Sequence, residues 1–308
     1  MDILLLILGI VLLVKGADYF VRGASDVAYY FKISPFIVGL TIVAFGTSAP
    51  EAAVSITAAL RDQSALAYGN IVGSSMANLL LVLGVSAVLT PIVIKERMIK
   101  KEFPFALLVV ALTLLFAFIG REYINRIEGA ILLGVFVVFI GMLIKSTKQI
   151  LYDKSPKTVN HIYGSIGVFL LGLTAVMGGG HVTTVYASNI ALTLGMSERL
   201  VGLSIVAIGT SLPELATIVA SYIKKESDIA LGNIIGSNIF NLAFILGVSA
   251  MISPIALVAS MRIDLIVLFM VTLLVFWFSV TGKVLSKVEG SLLVLIYAVY
   301  LTVIIMIN

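Results

Sequence analysis

The chain has 308 residues, of which 60% are hydrophobic and 12% charged, with a mean hydropathy of +1.17 and a net charge of +4. A soluble domain averages about 25% charged residues, so this composition excludes a water-soluble globular protein and assigns most of the chain to lipid. Cysteine is absent, which excludes disulfides and thiolate metal centres, and the basic residues sit in short breaks between apolar runs, a pattern of membrane topology and not of nucleic-acid binding.

A span needs roughly 20 apolar residues to cross a hydrocarbon core of about 30 Å. Ten runs qualify, at 3–21, 36–60, 66–90, 103–120, 127–144, 163–182, 199–223, 229–253, 263–281 and 288–306. The first follows Asp2 instead of a basic segment and leads to no small-residue cleavage site, so it reads as a span and not as a secretory signal. It carries Gly9, Gly16, Asp18, Arg22 and Gly23; its glycines allow close helix approach, and Asp18 reaches water near the span end. The second run, Gly39 to Leu60, is interrupted by Gly46, Thr47, Ser48, Ala49, Pro50 and Glu51. The fourth, fifth, ninth and tenth runs carry few polar groups and read as lipid-facing scaffold. Between the fifth and sixth lies the longest polar connector, Ser146 to His161. The sixth run carries Gly172, Gly178, Gly179, Gly180 and His181.

Long stretches recur at one constant interval. Gly202 to Glu214, GLSIVAIGTSLPE, matches Gly39 to Glu51, GLTIVAFGTSAPE, at ten of thirteen positions. Gly69 to Ala87, GNIVGSSMANLLLVLGVSA, matches Gly232 to Ala250, GNIIGSNIFNLAFILGVSA, at the same offset, and His181 stands at that offset from Asp18. The duplicated unit is five spans long, and five is odd, so the second copy enters the membrane upside down. The expected fold is an all-α polytopic membrane protein of ten transmembrane helices as two inverted five-helix repeats: 1–145, a cytoplasmic linker 146–161, and 162–308. With the N-terminus outside, fourteen lysines and arginines fall in cytoplasmic loops and five in the opposite ones, which predicts a multi-pass cell-membrane protein with both termini outside.

The chemistry is concentrated at mid-depth. The second and seventh runs are centred on Ser48 and Ser211, the third and eighth on Asn78 and Asn241. Thr47, Ser48, Glu51 and Asn78, with Thr210, Ser211, Glu214 and Asn241, therefore fall where polar groups are least tolerable. All eight side chains offer oxygen and the two ionised ones are acidic, which fits a hard cation. Pro50 and Pro213 lack an N–H, so carbonyls around Gly46 and Gly209 lose their helical partner. Two bidentate carboxylates plus two such carbonyls give about six oxygens, within the range for Ca2+. The same groups suit Na+, competition for shared ligands would couple the two ions, and protons are expected to compete for the carboxylates, so that acid slows transport. A hydroxyl and proline cluster in a membrane helix is often a simple kink, but here it is duplicated and depth-matched. No aspartate forms a mid-span catalytic pair and neither histidine neighbours a membrane serine, so enzyme activity is not expected.

GTSAPE with GNIVGSSMAN, and GTSLPE with GNIIGSNIFN, resemble the two alpha repeats of the calcium/cation antiporter superfamily, in particular its sodium/calcium exchanger branch (prokaryotic, YrbG-like). The resemblance covers the whole chain. It implies an exchanger whose metal ligands are Glu51 and Glu214 with Thr47, Ser48, Ser74, Asn78, Thr210, Ser211, Ser237 and Asn241. It also implies carbonyl ligands at Ala44 and Ala207, and sliding of the first and sixth spans to alternate access. Asn78 and Asn241 stand where potassium-dependent relatives carry aspartate, so K+ co-transport is not expected. The partners implied are Ca2+, Na+ or H+, and the lipid bilayer, with no cofactor, nucleic acid or obligatory protein partner. An H+/Ca2+ antiporter of the same fold is the alternative, and a cation channel is a third reading of a different class.

Overall fold

The computed structural model describes residues 1–119, 123–147, 161–196, 207–257 and 259–307. Its helices in chain order are α1 (Asp2–Tyr30), α2 (Pro35–Thr47), α3 (Ala49–Leu60), α4 (Ser64–Leu89), α5 (Glu96–Lys100), α6 (Glu102–Ile119), α7 (Arg126–Thr147), α8 (Ile162–Thr193), α9 (Ala207–Thr210), α10 (Leu212–Ile223), α11 (Ser227–Ile252), α12 (Ala259–Gly282) and α13 (Lys287–Ile307). Two-residue strands β1 (Ile92–Val93), β2 (Tyr123–Ile124), β3 (Ile255–Ala256) and β4 (Val284–Leu285) lie between them.

Among the described residues eight helices are long and apolar enough to span a membrane, or nine with the bent pair α2 and α3 taken as one. The expected seventh span is represented by α9 and α10; residues 199–206, its first part, lie outside the described residues, as do residues 148–160 of the expected linker. Two spans overrun their expected limits. α1 has 29 residues and α8 has 32, or about 44 and 48 Å at 1.5 Å per residue, well beyond the apolar stretch that hydropathy marks, because the helices continue through Arg22 and Asp26 in one and Ser188 and Asn189 in the other.

The chain forms two compact units, each drawing on both halves of the repeat: Met1–Thr47, Ser146–Ile234 and Leu295–Asn308 in one, Ser48–Lys145 and Ile235–Val294 in the other. The first is built on α1 and α8, which pack antiparallel through glycines. Gly9 faces Thr183, Gly16 faces Val176 and Gly23 faces Phe169, while Gly172 faces Phe20 and Gly179 faces Leu13. The heptad recurrence keeps the small residues on one seam of two nearly aligned helices. A Cβ at Gly16 would meet the Val176 backbone nitrogen at 2.7 Å, so a larger residue there would force the helices apart. Around this seam Leu13, Phe20, Val21, Val38, Val43 and Val176 form a buried cluster. Polar side chains add contacts along the second half of α1: Lys224 pairs with Asp18 at 2.6 Å, the Tyr29 hydroxyl donates to Glu226 at 3.0 Å, and Ser165 donates to Asp26 at 3.1 Å.

The second unit is stitched by sequence-distant pairings. β1 pairs antiparallel with β4, Ile92 opposite Leu285 and Val93 opposite Val284, and β2 pairs with β3, Tyr123 opposite Ala256 and Ile124 opposite Ile255. Each ribbon thus joins a connection of one repeat to a connection of the other. The helices that follow β2 and β4 are capped alike. Asn125 accepts from the Ile127 and Glu128 backbone N–H groups while Glu128 accepts from the Asn125 N–H at 2.7 Å; Ser286 and Glu289 repeat the exchange, again at 2.7 Å. These are capping boxes, in which two helix-start donors are satisfied reciprocally. Gly84 lies against Gly290, and Gly129 against Gly247, so the repeat governs helix packing as well as sequence.

Candidate functional site

The first GTSxPE segment breaks its span. α2 ends at Thr47, Ser48 takes φ −86° and ψ 8°, and α3 starts at Ala49 at 50° to α2. Pro50 has no N–H for the Gly46 carbonyl, so the hydrogen-bond ladder cannot cross this point. The second copy does the same: α9 ends at Thr210, Ser211 takes φ −90° and ψ 3°, and α10 restarts at Leu212 with Pro213 in its first turn. Glu51 and Glu214 therefore occupy the first turn of a restarted helix, where the positive end of the peptide dipoles favours an anion. Each is only 1% exposed.

Packing requires glycine before the second break and leaves little room for a side chain before the first. A Cβ at Gly209 would collide with the Thr184 side chain of α8, and one at Gly46 would lie 3.0 Å from Leu173. Ala44 and Thr47 lie in the first compact unit with Thr210, Ser211, Glu214 and the start of α9 at Ala207, and there α10 packs against Ala44–Thr47. Ser48, Glu51, Ser74, Asn78, Ser237 and Asn241 belong to the second unit, where α3 packs against α4 and against the turn Phe240–Ile245 that carries Asn241. The structure thus brings together candidate-bearing segments within each unit. Thr47, Ser48, Ser74, Asn78, Ser211, Ser237 and Asn241 are buried and Thr210 is half-buried.

The asparagines sit at special backbone positions. Asn78 begins a wide helical turn, Asn78–Val82, and its counterpart lies in another, Phe240–Ile245. Such single wide turns inside α-helices concentrate at functional sites. The Asn78 Oδ1, the Ser211 Oγ and both polar atoms of the Asn241 amide are buried without a hydrogen-bond partner among the described residues. An unsatisfied buried polar atom costs about 1–3 kcal/mol, a cost that a coordinated cation would offset at the oxygens. Among the described residues no three histidine, aspartate or glutamate side chains form a group that could hold a metal ion.

Two further residues escape a reading that looks only for charge and hydroxyls. Asn70 donates from Nδ2 to the Glu51 carbonyl at 3.1 Å and to the Ser55 Oγ at 2.8 Å, and the Oδ1 of Asn233 accepts from the Thr47 hydroxyl at 3.1 Å. The signal was present in the duplicated Gly-Asn of Gly69-Asn70 and Gly232-Asn233. Asp18, in the second half of α1, is half exposed and paired with Lys224.

Long apolar helices and a duplicated chain define a multi-pass membrane protein, with an acidic residue buried at each helix restart. The chain belongs to the sodium/calcium exchanger protein family, whose description it matches over residues 1–145 and 164–306. It is 32% identical to the sodium/calcium exchanger MaX1 of Methanosarcina acetivorans over 98% of both chains, and 36% identical to the inner membrane protein YrbG of Escherichia coli over 81% of this chain and 79% of that one. The solved structure of the sodium-calcium exchanger NCX_Mj, soaked with zero Na+ and Ca2+, superposes with a TM-score of 0.86 at 30% identity, covering 98% of each chain.

Proposed function

We propose that this protein is a secondary active antiporter that exchanges Ca2+ for Na+ across the cell membrane by alternating access. The reading takes the fold as ten spans in two inverted repeats, 1–145 and 162–308, joined by a cytoplasmic linker at 146–161, with both termini outside. Glu51 and Glu214 are the central ligands, supported by Thr47, Ser48, Ser74, Asn78, Thr210, Ser211, Ser237 and Asn241 and by the carbonyls of Ala44 and Ala207. The observation that carries it is the burial of Glu51 and Glu214 to 1% exposure at matching helix restarts. A carboxylate there is tolerated when its charge is matched, and an exchangeable cation matches it.

Ca2+ suits the two-carboxylate set because two negative charges balance one divalent ion, while the neutral oxygens accept Na+. Because ligands are shared, occupation by one ion excludes the other. Reorientation of loaded states alone then turns a Na+ gradient into Ca2+ movement. The test is uptake of radioactive calcium into vesicles holding the purified protein, driven by an outward Na+ gradient at clamped pH. Uptake that follows the Na+ gradient is the expected result. A response to a pH gradient alone would replace Na+ by H+ as the driving ion, and calcium flux with no counter-ion dependence would make the protein a channel.

A further inference from the structure

Asn70 and Asn233 are counterparts in the repeat, yet their amides face the candidate site with opposite polarity. Asn70 is a donor. Its Nδ2 group holds the Glu51 carbonyl at 3.1 Å and the Ser55 Oγ at 2.8 Å, both on α3. Asn70, Ser74 and Asn78 recur at every fourth position along α4 and so share one helix face. The two donated bonds therefore fix the register of the helix that carries Glu51 against the face that carries Ser74 and Asn78.

Asn233 is an acceptor. Its Oδ1 lies 3.1 Å from the Thr47 Oγ1, which also lies 3.4 Å from the Ala44 carbonyl. Both neighbours are acceptors, so the single hydroxyl proton is committed to them, and the lone pairs of Thr47 are left to face a cation. One part of the difference between the repeats has a sequence cause: Ile218 occupies the place of Ser55, so the second repeat cannot reproduce the Asn70 bond to a serine.

We infer that Asn70 and Asn233 are positioning residues of the cation site, Asn70 by donating to the Glu51 helix and Asn233 by accepting from Thr47. The inference rests on the exchanger reading above. It predicts that one substitution, Asn→Asp, has opposite outcomes at the two places. A carboxyl cannot make both donations at position 70, whereas at position 233 it keeps an oxygen for Thr47 whether or not it is ionised.

The experiment measures the calcium dependence of Na+-driven uptake, and calcium binding by calorimetry, for wild type, Asn70→Asp, Asn70→Leu, Asn233→Asp and Asn233→Leu, with size-exclusion profiles to show that each is folded. Residues that orient metal ligands change affinity about 10–100-fold when replaced. Asn70→Asp, Asn70→Leu and Asn233→Leu are expected to raise half-saturating calcium about tenfold or more, with a smaller change in maximal rate, and Asn233→Asp to stay within about twofold of wild type. Ser55→Ala, which removes one of the two acceptors of Asn70, should give a milder rise of about two- to threefold and keeps the test open if the Asn70 variants fail to fold. Wild-type calcium dependence in Asn70→Asp or in Ser55→Ala, or equal damage from Asn233→Asp and Asn233→Leu, would overturn the inference. Wild-type protein that binds calcium but shows no Na+-driven uptake would instead sink the exchanger reading, and the binding data would still decide the asparagines.

Discussion

α1 and α8 differ from α4 and α11 in what their apolar length is for. Over their most apolar stretches, 28% of α1 and 22% of α8 is buried within the protein, against 78% of α4 and 83% of α11. The first pair turns much of its surface outward and joins through a glycine seam. The second pair is wrapped by other helices and carries Ser74, Asn78, Ser237 and Asn241, with a wide turn in each. Polar side chains in a membrane protein are tolerated where protein surrounds them, so burial within the chain's own core separates the two pairs more sharply than hydropathy does.

The largest expected effect comes from removing a fully buried charge. Glu214→Gln should lower Na+-driven calcium uptake by about 100-fold or more while the protein still purifies as a folded species, because the amide keeps shape and loses charge. Wild-type uptake would end the assignment of Glu214. Next is the glycine seam. Gly179 abuts the Leu13 backbone, and Gly179→Leu should cost about 1–3 kcal/mol as overpacking, read as a lower unfolding temperature in detergent; unchanged stability would mean that α1 and α8 do not need close approach. Ser286→Ala removes one half of a capping box and should cost about 1 kcal/mol by the same measurement, with calcium affinity unchanged. The smallest effect is expected from Asp18→Asn, which neutralises a carboxylate as Glu214→Gln does but in a half-exposed ion pair. It should change stability by less than about 1 kcal/mol, since exposed pairs contribute little. A loss of transport as deep as that of Glu214→Gln would erase the contrast between a buried carboxylate and a half-exposed one.

Much of this was legible in the chain itself. The Gly-Thr-Ser-x-Pro-Glu segments announce their breaks because proline removes a backbone donor, and the structure stops helices at Thr47 and Thr210 where that chemistry requires. The third, fourth, fifth, eighth, ninth and tenth spans fall within a few residues of their apolar runs. Other features left little trace. A wide turn at Asn78 is a shift of hydrogen-bond partner that leaves hydrophobic spacing intact, and two-residue ribbons such as Ile92–Val93 with Val284–Leu285 pair residues far apart in sequence. The capping residues Asn125 with Glu128 and Ser286 with Glu289 were readable as N-x-x-E and S-x-x-E before apolar runs, but the two boxes do not stand at the interval that relates Glu51 to Glu214 and so fall outside the register that revealed the rest of the repeat. Asn70 and Asn233 were visible in the duplication and became meaningful only once their amides had partners.

The most direct measurement is calcium binding to the purified protein by titration calorimetry, comparing wild type with Glu51→Gln and Glu214→Gln in the absence of Na+. The account predicts a binding isotherm for the wild type that is lost in each single variant and suppressed by added Na+. Wild-type affinity in either variant would contradict the claim that these two carboxylates serve one exchangeable cation.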